Sequence, residues 1–444
     1  MRFTPWATRL VLTLSVTATA FLTGCGSGSG SNSTQVRLLN ATRSYPALDL
    51  TVNDKTINSK VAYAAVGDYG GVDTSSTASK VLTSDVGTSV SATTPTLNGG
   101  SNYTYITYGF AGAIRTTLLQ ENQAAPDANK ASLLVLNLAP DAGALDIYVT
   151  TAADCSLTTE TALTTNVTGG TGSLGGYQLI NSGTFRVCVT GYGKRSDLRL
   201  NIPAMTLASA SVNTLILTSS EGGVLVNGIG LVQKGAATNF PNTQSRVRTV
   251  AALSGGGVVA STINGQTMFS GATSPLISDY VTTSSGMSTL NVSVNGLGIS
   301  FTPPTLTAGR DTTLLVWGDP SAPRMAVLDD DNRLPTGAAG SGDVKIRVVN
   351  ALQTSGVGLN VAFGSIASNV ASGTASTPNT TSSTTSTQVD LTVPNQALSI
   401  YTNSTLSFPT GSVWTFFAVP NTATTASTNL PVPGLAGLPK RERP

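Results

Sequence analysis

The chain has 444 residues, of which only 10% are charged and none is histidine, and its formal net charge is +2. The missing histidine excludes a Ser-His-Asp triad and removes both the commonest general base and the commonest metal ligand. A small charge spread along the sequence gives no basic patch, so we expect no nucleic-acid partner.

The first 24 residues have the composition of a secretory signal peptide. Arg2 and Arg9 provide a positive start, and an apolar run from 10 to 22 follows them. That run is too short for a membrane-spanning helix, which needs about 20 residues. We therefore predict a cleaved leader at 1–24, with a transmembrane or uncleaved leader as the alternative.

The leader ends in Leu22-Thr23-Gly24-Cys25, which resembles the lipobox of bacterial lipoproteins. The resemblance implies cleavage just before Cys25 and acylation of that cysteine, which then anchors the protein in a membrane. Gly26 follows it instead of an aspartate, as in lipoproteins that are passed on to the outer membrane. We expect a lipid-anchored protein of the cell envelope, periplasmic or surface-exposed, with residues 25–34 as a flexible tether.

A strand–turn–strand pattern then occurs four times along the chain. Apolar and polar residues alternate with a period of two, which is typical of half-buried β-strands. The equivalent positions Asn40, Asn137, Ala251 and Asn350 lie 97, 114 and 99 residues apart. Repetition at a nearly constant period indicates four repeated domains. The copies occupy residues 36–52, 133–149, 247–263 and 346–361.

The repeats predict an all-β chain of tandem antiparallel β-sandwich domains, because about eight short strands fall within roughly 90 residues. We place three domains at 35–123, 131–235 and 245–335, and a partial or diverged fourth at 342–420. The fourth lacks a recognisable last strand. Residues 421–444 are rich in threonine and proline and end in a basic tip, so we predict a disordered tail there.

The hairpins at 36–52 and 133–149, the latter with the turn Ala139-Pro140-Asp141-Ala142, resemble the domain of unknown function 4397 family. The resemblance implies an exported bacterial protein with tandem sandwiches of immunoglobulin-like character. It implies no activity, because none is established for the family. Units one to three fit across most of their length, and the fourth fits only in part.

Cys155 and Cys188 are the cysteines that remain once Cys25 is assigned to the lipid. Two cysteines within one domain of an exported protein predict a disulfide. Free thiols or a redox pair are the alternatives, although no basic neighbour indicates an activated thiolate.

Two further groups of residues have the composition of a binding site. Tyr103 and Tyr105 lie on one face of a predicted strand, where exposed rings would stack on a sugar and buried rings would form core. Residues 329–332 (Asp-Asp-Asp-Asn) offer several oxygens to a cation but lack the spacing of a calcium loop. We favour core for the tyrosines and an inter-domain linker for the acidic run.

These observations predict a non-catalytic binding, adhesion or envelope-structural lipoprotein, with no catalytic residue, no metal and no cofactor. Its expected partners are the membrane, through Cys25, and a glycan or an envelope protein. The alternative is a polysaccharide-acting hydrolase or its accessory carbohydrate-binding subunit, which predicts two carboxylates in one cleft.

Overall fold

The computed structural model describes most of the chain that follows the leader and the tether. The predicted leader at 1–24, the lipidation site Cys25 and nearly all of the tether lie outside the described residues. No helix in the described part of the chain is long and apolar enough to span a bilayer. The described residues are 34–172, 175–335, 342–353, 356–422 and 434–443.

Strands form four consecutive domains, and two short 3-10 turns, Pro140–Ala142 and Ser254–Gly256, follow the first strands of domains 2 and 3. The first domain contains β1 (Thr34–Asn40), β2 (Ala47–Val52), β3 (Lys55–Ala62), β4 (Gly70–Val72), β5 (Ser79–Thr83), β6 (Ser89–Thr93), β7 (Asn102–Tyr108) and β8 (Arg115–Gln120). The second contains β9 (Lys130–Leu138), β10 (Leu145–Thr150), β11 (Thr164–Val167), β12 (Thr171–Gly172), β13 (Gln178–Asn181), β14 (Gly183–Gly191), β15 (Lys194–Leu207), β16 (Ser211–Ser219), β17 (Val226–Val232) and β18 (Ala237–Phe240).

The third domain contains β19 (Gln244–Leu253), β20 (Val258–Ile263), β21 (Gln266–Thr273), β22 (Leu276–Ile277), β23 (Val281–Ser284), β24 (Gly286–Met287), β25 (Leu290–Val294), β26 (Leu297–Ile299), β27 (Thr305–Leu306), β28 (Asp311–Asp319) and β29 (Ala322–Asp330). The fourth contains β30 (Asp343–Asn350), β31 (Val357–Val361), β32 (Gly364–Val370), β33 (Thr374–Ala375), β34 (Asn379–Ser382), β35 (Thr384–Thr392), β36 (Tyr401–Phe408), β37 (Val413–Pro420) and β38 (Leu435–Arg443).

Each domain is a pair of sheets with one recurring strand order. In domain 1 the sheets are β4-β1-β7-β8 and β3-β2-β5-β6. In domain 2 they are β12-β9-β16-β17-β18, with β13 also on β9, and β11-β10-β14-β15. Domain 3 has β22-β19-β28-β29, with β23 also on β19, and β21-β20-β25-β26, and it adds a small sheet of β24 and β27. Domain 4 has β33-β30-β37-β38, with β34 also on β30, and β32-β31-β35-β36. The prediction of tandem β-sandwiches is confirmed.

One pairing in every domain departs from the fully antiparallel sandwich that we predicted. The first strand runs parallel to a strand near the end of its domain, in the pairs β1/β7, β9/β16, β19/β28 and β30/β37. A period of two is common to parallel and antiparallel strands, so the sequence pattern could not distinguish them. The parallel pair places the first strand inside its sheet rather than at an edge.

The first strand is also buried on both faces. In β1, Val36 and Leu38 face the core of domain 1, whereas Leu39 packs against domain 2. Burial on both faces explains why apolar residues occur at consecutive positions in these strands, as at Leu38 and Leu39.

The domains associate as two pairs, 1 with 2 and 3 with 4, through the sheets that contain their first strands. The apolar contact in the first pair includes Leu39, Ile106, Leu134, Ile216 and Ile229. The contact in the second pair includes Val250, Leu315, Trp317, Val349 and Phe417. Removing this apolar surface from water is the main force holding each pair together.

The predicted disordered tail is wrong for residues 434–443. β38 pairs antiparallel with β37, from Pro420↔Leu435 to Val413↔Arg443. Ala436 is buried, and Leu438 packs against the contact between domains 3 and 4. This segment has a weak β pattern of its own and becomes ordered through pairing and apolar contact. The fourth domain is therefore complete, and β38 is the last strand that the sequence analysis did not recognise.

Candidate binding cleft

The tyrosines considered as a stacking surface lie in the core of domain 1. Tyr103 and Tyr105 are only 3% and 1% exposed. The hydroxyl of Tyr105 lies 2.9 Å from that of Ser79, and the hydroxyl of Tyr103 accepts a hydrogen bond from the backbone amide of Asn98. Neither ring can reach a sugar, so the stacking alternative is wrong.

The acidic run at 329–332 does not converge on a single point. Asp330 faces the guanidinium groups of Arg248 and Arg347, and Asp331 pairs with Arg333 and Lys345. Four neighbouring side chains that bond to different partners cannot surround one cation. Within the described residues, no group of three or more acidic or cysteine side chains could hold a metal ion. The run instead connects domain 3 to domain 4.

A buried arginine joins domain 1 to domain 2. Arg37, on β1, is 4% exposed, and its guanidinium donates to both carboxylate oxygens of Glu121 at 2.9 Å. It also donates to the Thr104 hydroxyl on β7 and lies 4.4 Å above the ring of Tyr69. Across the domain contact, Arg37 donates to the carbonyl of Gly235 at 2.8 Å. A charge this deeply buried is stable only with such partners.

Domains 3 and 4 each contain a similar buried arginine, and each arginine pairs with a carboxylate of the other domain. Arg248 donates to Thr313, and Arg347 donates to Thr415, as Arg37 donates to Thr104. Arg248 of domain 3 forms two hydrogen bonds of 2.6 Å to Glu442 of domain 4. Arg347 of domain 4 pairs with Asp330 of domain 3. Each domain of this pair therefore neutralises the other's buried arginine.

Charge and burial set the protonation of this network. Burial alone would raise the pKa of Asp330, but Arg347 and Arg248 lower it below its usual value. Burial raises the pKa of Tyr280 well above its usual value, so its phenol stays protonated and donates to Asp330. Burial alone would lower the pKa of Arg248, but the carboxylates of Glu442 and Asp330 raise it. The network therefore holds fixed charges and is not suited to act as a general acid or a general base.

A cleft of about 820 Å³ lies between domains 2, 3 and 4, beside this network. The start of β15 forms one wall, β19 and the segment from Ser278 to Thr282 form another, and β38 forms the third. We call it the three-domain cleft. Its third wall exists because the C-terminal residues are ordered.

The three-domain cleft is basic. Three acidic side chains, Asp197, Asp279 and Glu442, face six cationic ones: Lys194, Arg195, Arg199, Arg246, Lys440 and Arg441. The sequence analysis expected no basic patch in this chain, and that expectation is wrong. It failed because the six cations come from three segments that are far apart in the sequence.

Two buried polar atoms of the cleft walls lack hydrogen-bond partners among the described residues. They are Nε of Arg199, a donor, and Oε1 of Gln244, an acceptor. The guanidinium of Arg199 otherwise contacts Asp197 and the carbonyl of Val224. Buried polar groups are nearly always hydrogen-bonded, so unpaired atoms in a cavity wall are candidates for contact with a ligand or water.

The predicted disulfide between Cys155 and Cys188 is confirmed, and it borders the cleft. It attaches the loop that follows β10 to the buried strand β14. Within this loop, the carbonyls of Leu157 and Thr158 accept hydrogen bonds from Arg195 at 2.9 and 3.3 Å. The disulfide thus supports the loop that positions one of the cleft's cations.

A second cavity, of about 360 Å³, gathers the carboxylates that a hydrolase would require. Its acidic residues are engaged by cations: Arg310 contacts both Glu221 and Asp329. Burial would raise the pKa of Asp331, but Arg333 and Lys345 lower it to about 2. A glycosidase needs a general acid whose pKa is raised, so the lowered pKa of Asp331 does not suit that role.

The family of the chain follows from its sequence match to a known domain model. The model described as "Domain of unknown function (DUF4397)" matches residues 34–148 and 245–359, together just over half of the chain. The chain belongs to the DUF4397 family. A search of the curated proteins finds no match.

Two solved structures show distant similarity to this DUF4397 protein. One is a "putative cell adhesion protein" from Bacteroides uniformis, at 9% identity and a TM-score of 0.20, covering 46% of this chain and 97% of that one. The other is the Bacillus anthracis TIE protein, at 9% identity and a TM-score of 0.14, covering 76% of this chain and 65% of that one. At these scores, neither similarity bears on function.

The DUF4397 matches follow the pairing of the domains. Each covers one whole sandwich, the first strand of its partner and part of the second, and the two begin 211 residues apart. Arg37 and Arg248 are separated by the same 211 residues. The repeated unit of this DUF4397 protein is thus a pair of sandwiches with a buried arginine in the first member.

The sequence analysis missed the arginine network although part of its signal was visible. Arg37, Arg248 and Arg347 each occupy the second position of a repeated segment, those that begin at residues 36, 247 and 346. A cation recurring inside a buried strand indicates a buried ion pair. Its acidic partners could not be identified in the same way, because Glu121 and Glu442 lie in segments without a common pattern.

Proposed function

We propose that this chain is an exported lipoprotein of the cell envelope that binds an envelope component without transforming it. The leader and the sequence up to Cys25 support export and lipid attachment. The observation that carries the binding role is the three-domain cleft, a concave surface built by three domains. Ligand sites commonly lie in clefts of this size, at the boundaries of domains.

Rigid assembly of the domains favours a binding scaffold. Arg248 and Arg347 each pair with a carboxylate of the neighbouring domain, and both are almost fully buried. Domains 2 and 3 are joined as well, since Asp141 accepts a hydrogen bond from the amide of Leu334 at 2.7 Å. A site on a rigid support binds with a smaller loss of conformational entropy than one between mobile domains.

The lipid anchor is tested by expressing the full chain and its Cys25→Ala variant in a bacterial host with a fatty acid that carries a detectable tag. We expect the tag on the wild-type chain, which fractionates with membranes, and no tag on the variant. Equal labelling of the two proteins, or no label on either, contradicts the anchor.

The binding role is tested by incubating the purified chain with polysaccharide extracted from the envelope of the same host. We expect the chain to retain polysaccharide while leaving its length distribution unchanged. Shortened polysaccharide would support the hydrolase instead, and no retention would contradict the binding role.

A further inference from the structure

We infer that the three-domain cleft binds an acidic polysaccharide through the carboxylate or phosphate groups along its chain. This inference deepens the proposed binding role and rests on it. The cleft has six cationic side chains against three acidic ones, whereas the whole chain has a net charge of only +2. Such a concentration of one charge in a concave site attracts ligands of the opposite charge.

Ion pairs offset only part of the cleft's positive charge; one of them joins Arg246 to the buried Asp311. Glu442 is buried and bonded to Arg248, which lies behind the cleft wall, and Asp197 is bonded to Arg199. Asp279 is fully exposed, and it lies 3.7 Å from Lys440. Lys194 is exposed on the wall formed by β15. Two lysines on different walls suit a ligand that carries more than one acidic group.

The shape of the site favours an extended ligand. A volume of about 820 Å³ far exceeds the room needed by one phosphate or carboxylate and matches a short oligomer. Its walls provide few apolar groups and many donors, as a hydroxylated, charged chain requires. Arg199 and Gln244 add one buried unpaired donor and one buried unpaired acceptor in the cleft walls.

The site is poorly suited to nucleic acid. Single-stranded nucleic acids bind through exposed aromatic rings on which the bases stack. Tyr280 is the one aromatic residue of the cleft wall within the described residues. Arg246 and Arg248 lie 4.3 and 4.6 Å from the centre of its ring, so the ring is already covered by cations.

The test uses the full chain, purified in detergent, and fluorescently labelled oligosaccharides. Oligogalacturonate supplies carboxylates, phosphorylated mannan fragments supply phosphates, and a neutral dextran fragment of equal length is the control. We expect binding of at least one acidic probe, no binding of dextran, and loss of binding near 1 M salt, where the Debye length is about 3 Å. The acidic probe that binds more tightly identifies the acidic group.

The matched variants are Lys194→Gln/Lys440→Gln in the cleft and Lys55→Gln/Lys60→Gln on the exposed strand β3 of domain 1. Two lost charge contacts should weaken binding roughly tenfold for the cleft variant and leave the control variant unchanged. All four lysines lie at the surface or at the cleft, so we expect both variants to fold, which the thermal midpoint verifies.

Three results would overturn the inference: no binding of either acidic probe, equal affinity of the two variants, or tighter binding of single-stranded DNA or anionic vesicles. These outcomes are independent of the lipid anchor. A chain that carries the lipid and retains envelope polysaccharide, but binds no acidic probe, contradicts only this inference.

Discussion

The guanidinium of Arg248 and the carboxylate of Glu442 form two hydrogen bonds of 2.6 Å, although 194 residues separate them in the sequence. Both side chains are almost completely removed from water, at 0% and 1% exposure. This contact joins domain 3 to the last strand of domain 4. It also fixes the strand that forms one wall of the three-domain cleft.

Replacing Glu442 by glutamine should destabilise domains 3 and 4 together. The substitution leaves Arg248 buried with only Asp330, at 3.7 Å, to offset its charge. Removing one partner of a buried ion pair costs about 3–5 kcal/mol, and the remaining aspartate should place the loss near 3 kcal/mol. Urea unfolding followed by tryptophan fluorescence measures it, since Trp317 and Trp414 lie in these two domains. The matched change Glu160→Gln removes a local contact only and should have little effect.

Replacing both members of the Arg37–Glu121 pair should cost less than the two single changes added together. Domain 2 has Leu134 opposite Thr214, where domain 1 has Arg37 opposite Thr104, so the fold accepts leucine at this position. Arg37→Leu leaves Glu121 as a buried, uncompensated charge, and Glu121→Leu does the same to Arg37. We expect a coupling of about 1–3 kcal/mol, measured by calorimetry on both single variants and the double variant. Strict additivity would show that the pair contributes nothing.

Stability should fall as the pH drops below about 4. The pKa of Asp331 is lowered to about 2 from its usual 3.8, and that of Asp330 is also lowered. A carboxyl group whose pKa is lower in the folded state stabilises the fold above its unfolded pKa, and this contribution is lost as the pH falls towards the folded pKa. Urea midpoints between pH 5 and pH 2 measure the loss. Asp331→Asn should show a shallower decline, and an identical pH profile for this variant would be evidence against the assignment.

Reducing the Cys155–Cys188 disulfide should destabilise domain 2 and leave domains 3 and 4 nearly unchanged. The bond closes a loop with a sequence separation of 33 residues, for which the chain-entropy model gives about 3–4 kcal/mol. The double change Cys155→Ala/Cys188→Ala should therefore produce an early transition in circular dichroism. The tryptophan fluorescence of domains 3 and 4 should unfold at the wild-type midpoint. A single transition with no early phase would contradict this prediction.

The sequence predicted those features that depend on neighbouring residues. Alternation identified the sandwich strands, and the turn-forming pairs Asn53-Asp54 and Asn264-Gly265 lie where the hairpins β2/β3 and β20/β21 turn. All four of these turn residues have positive φ, as such tight turns require. The disulfide followed from cysteine count and export, which are properties of the whole chain. Each of these signals is visible without knowing which strands meet.

The features that were missed depend on contacts between distant segments. Parallel pairing of β1 with β7 leaves no mark in a period of two. β38 contains Gly437 and Pro439 among few apolar residues, and β37 gives it the order that its own sequence does not. The basic cleft arises only when β15, β19 and β38 come together. In the sequence alone, its lysines and arginines cannot be distinguished from ordinary surface charges.

The central claim is that paired sandwiches are joined by buried charges and that the C-terminal strand completes the last one. Backbone hydrogen exchange of residues 435–443 in the full chain tests this claim most directly. We predict that the amides of β38 that bond to β37 exchange as slowly as those of β37, and that Glu442→Gln accelerates exchange in β38 and in β19, which carries Arg248. Fast exchange throughout residues 435–443 of the wild-type protein would contradict the account.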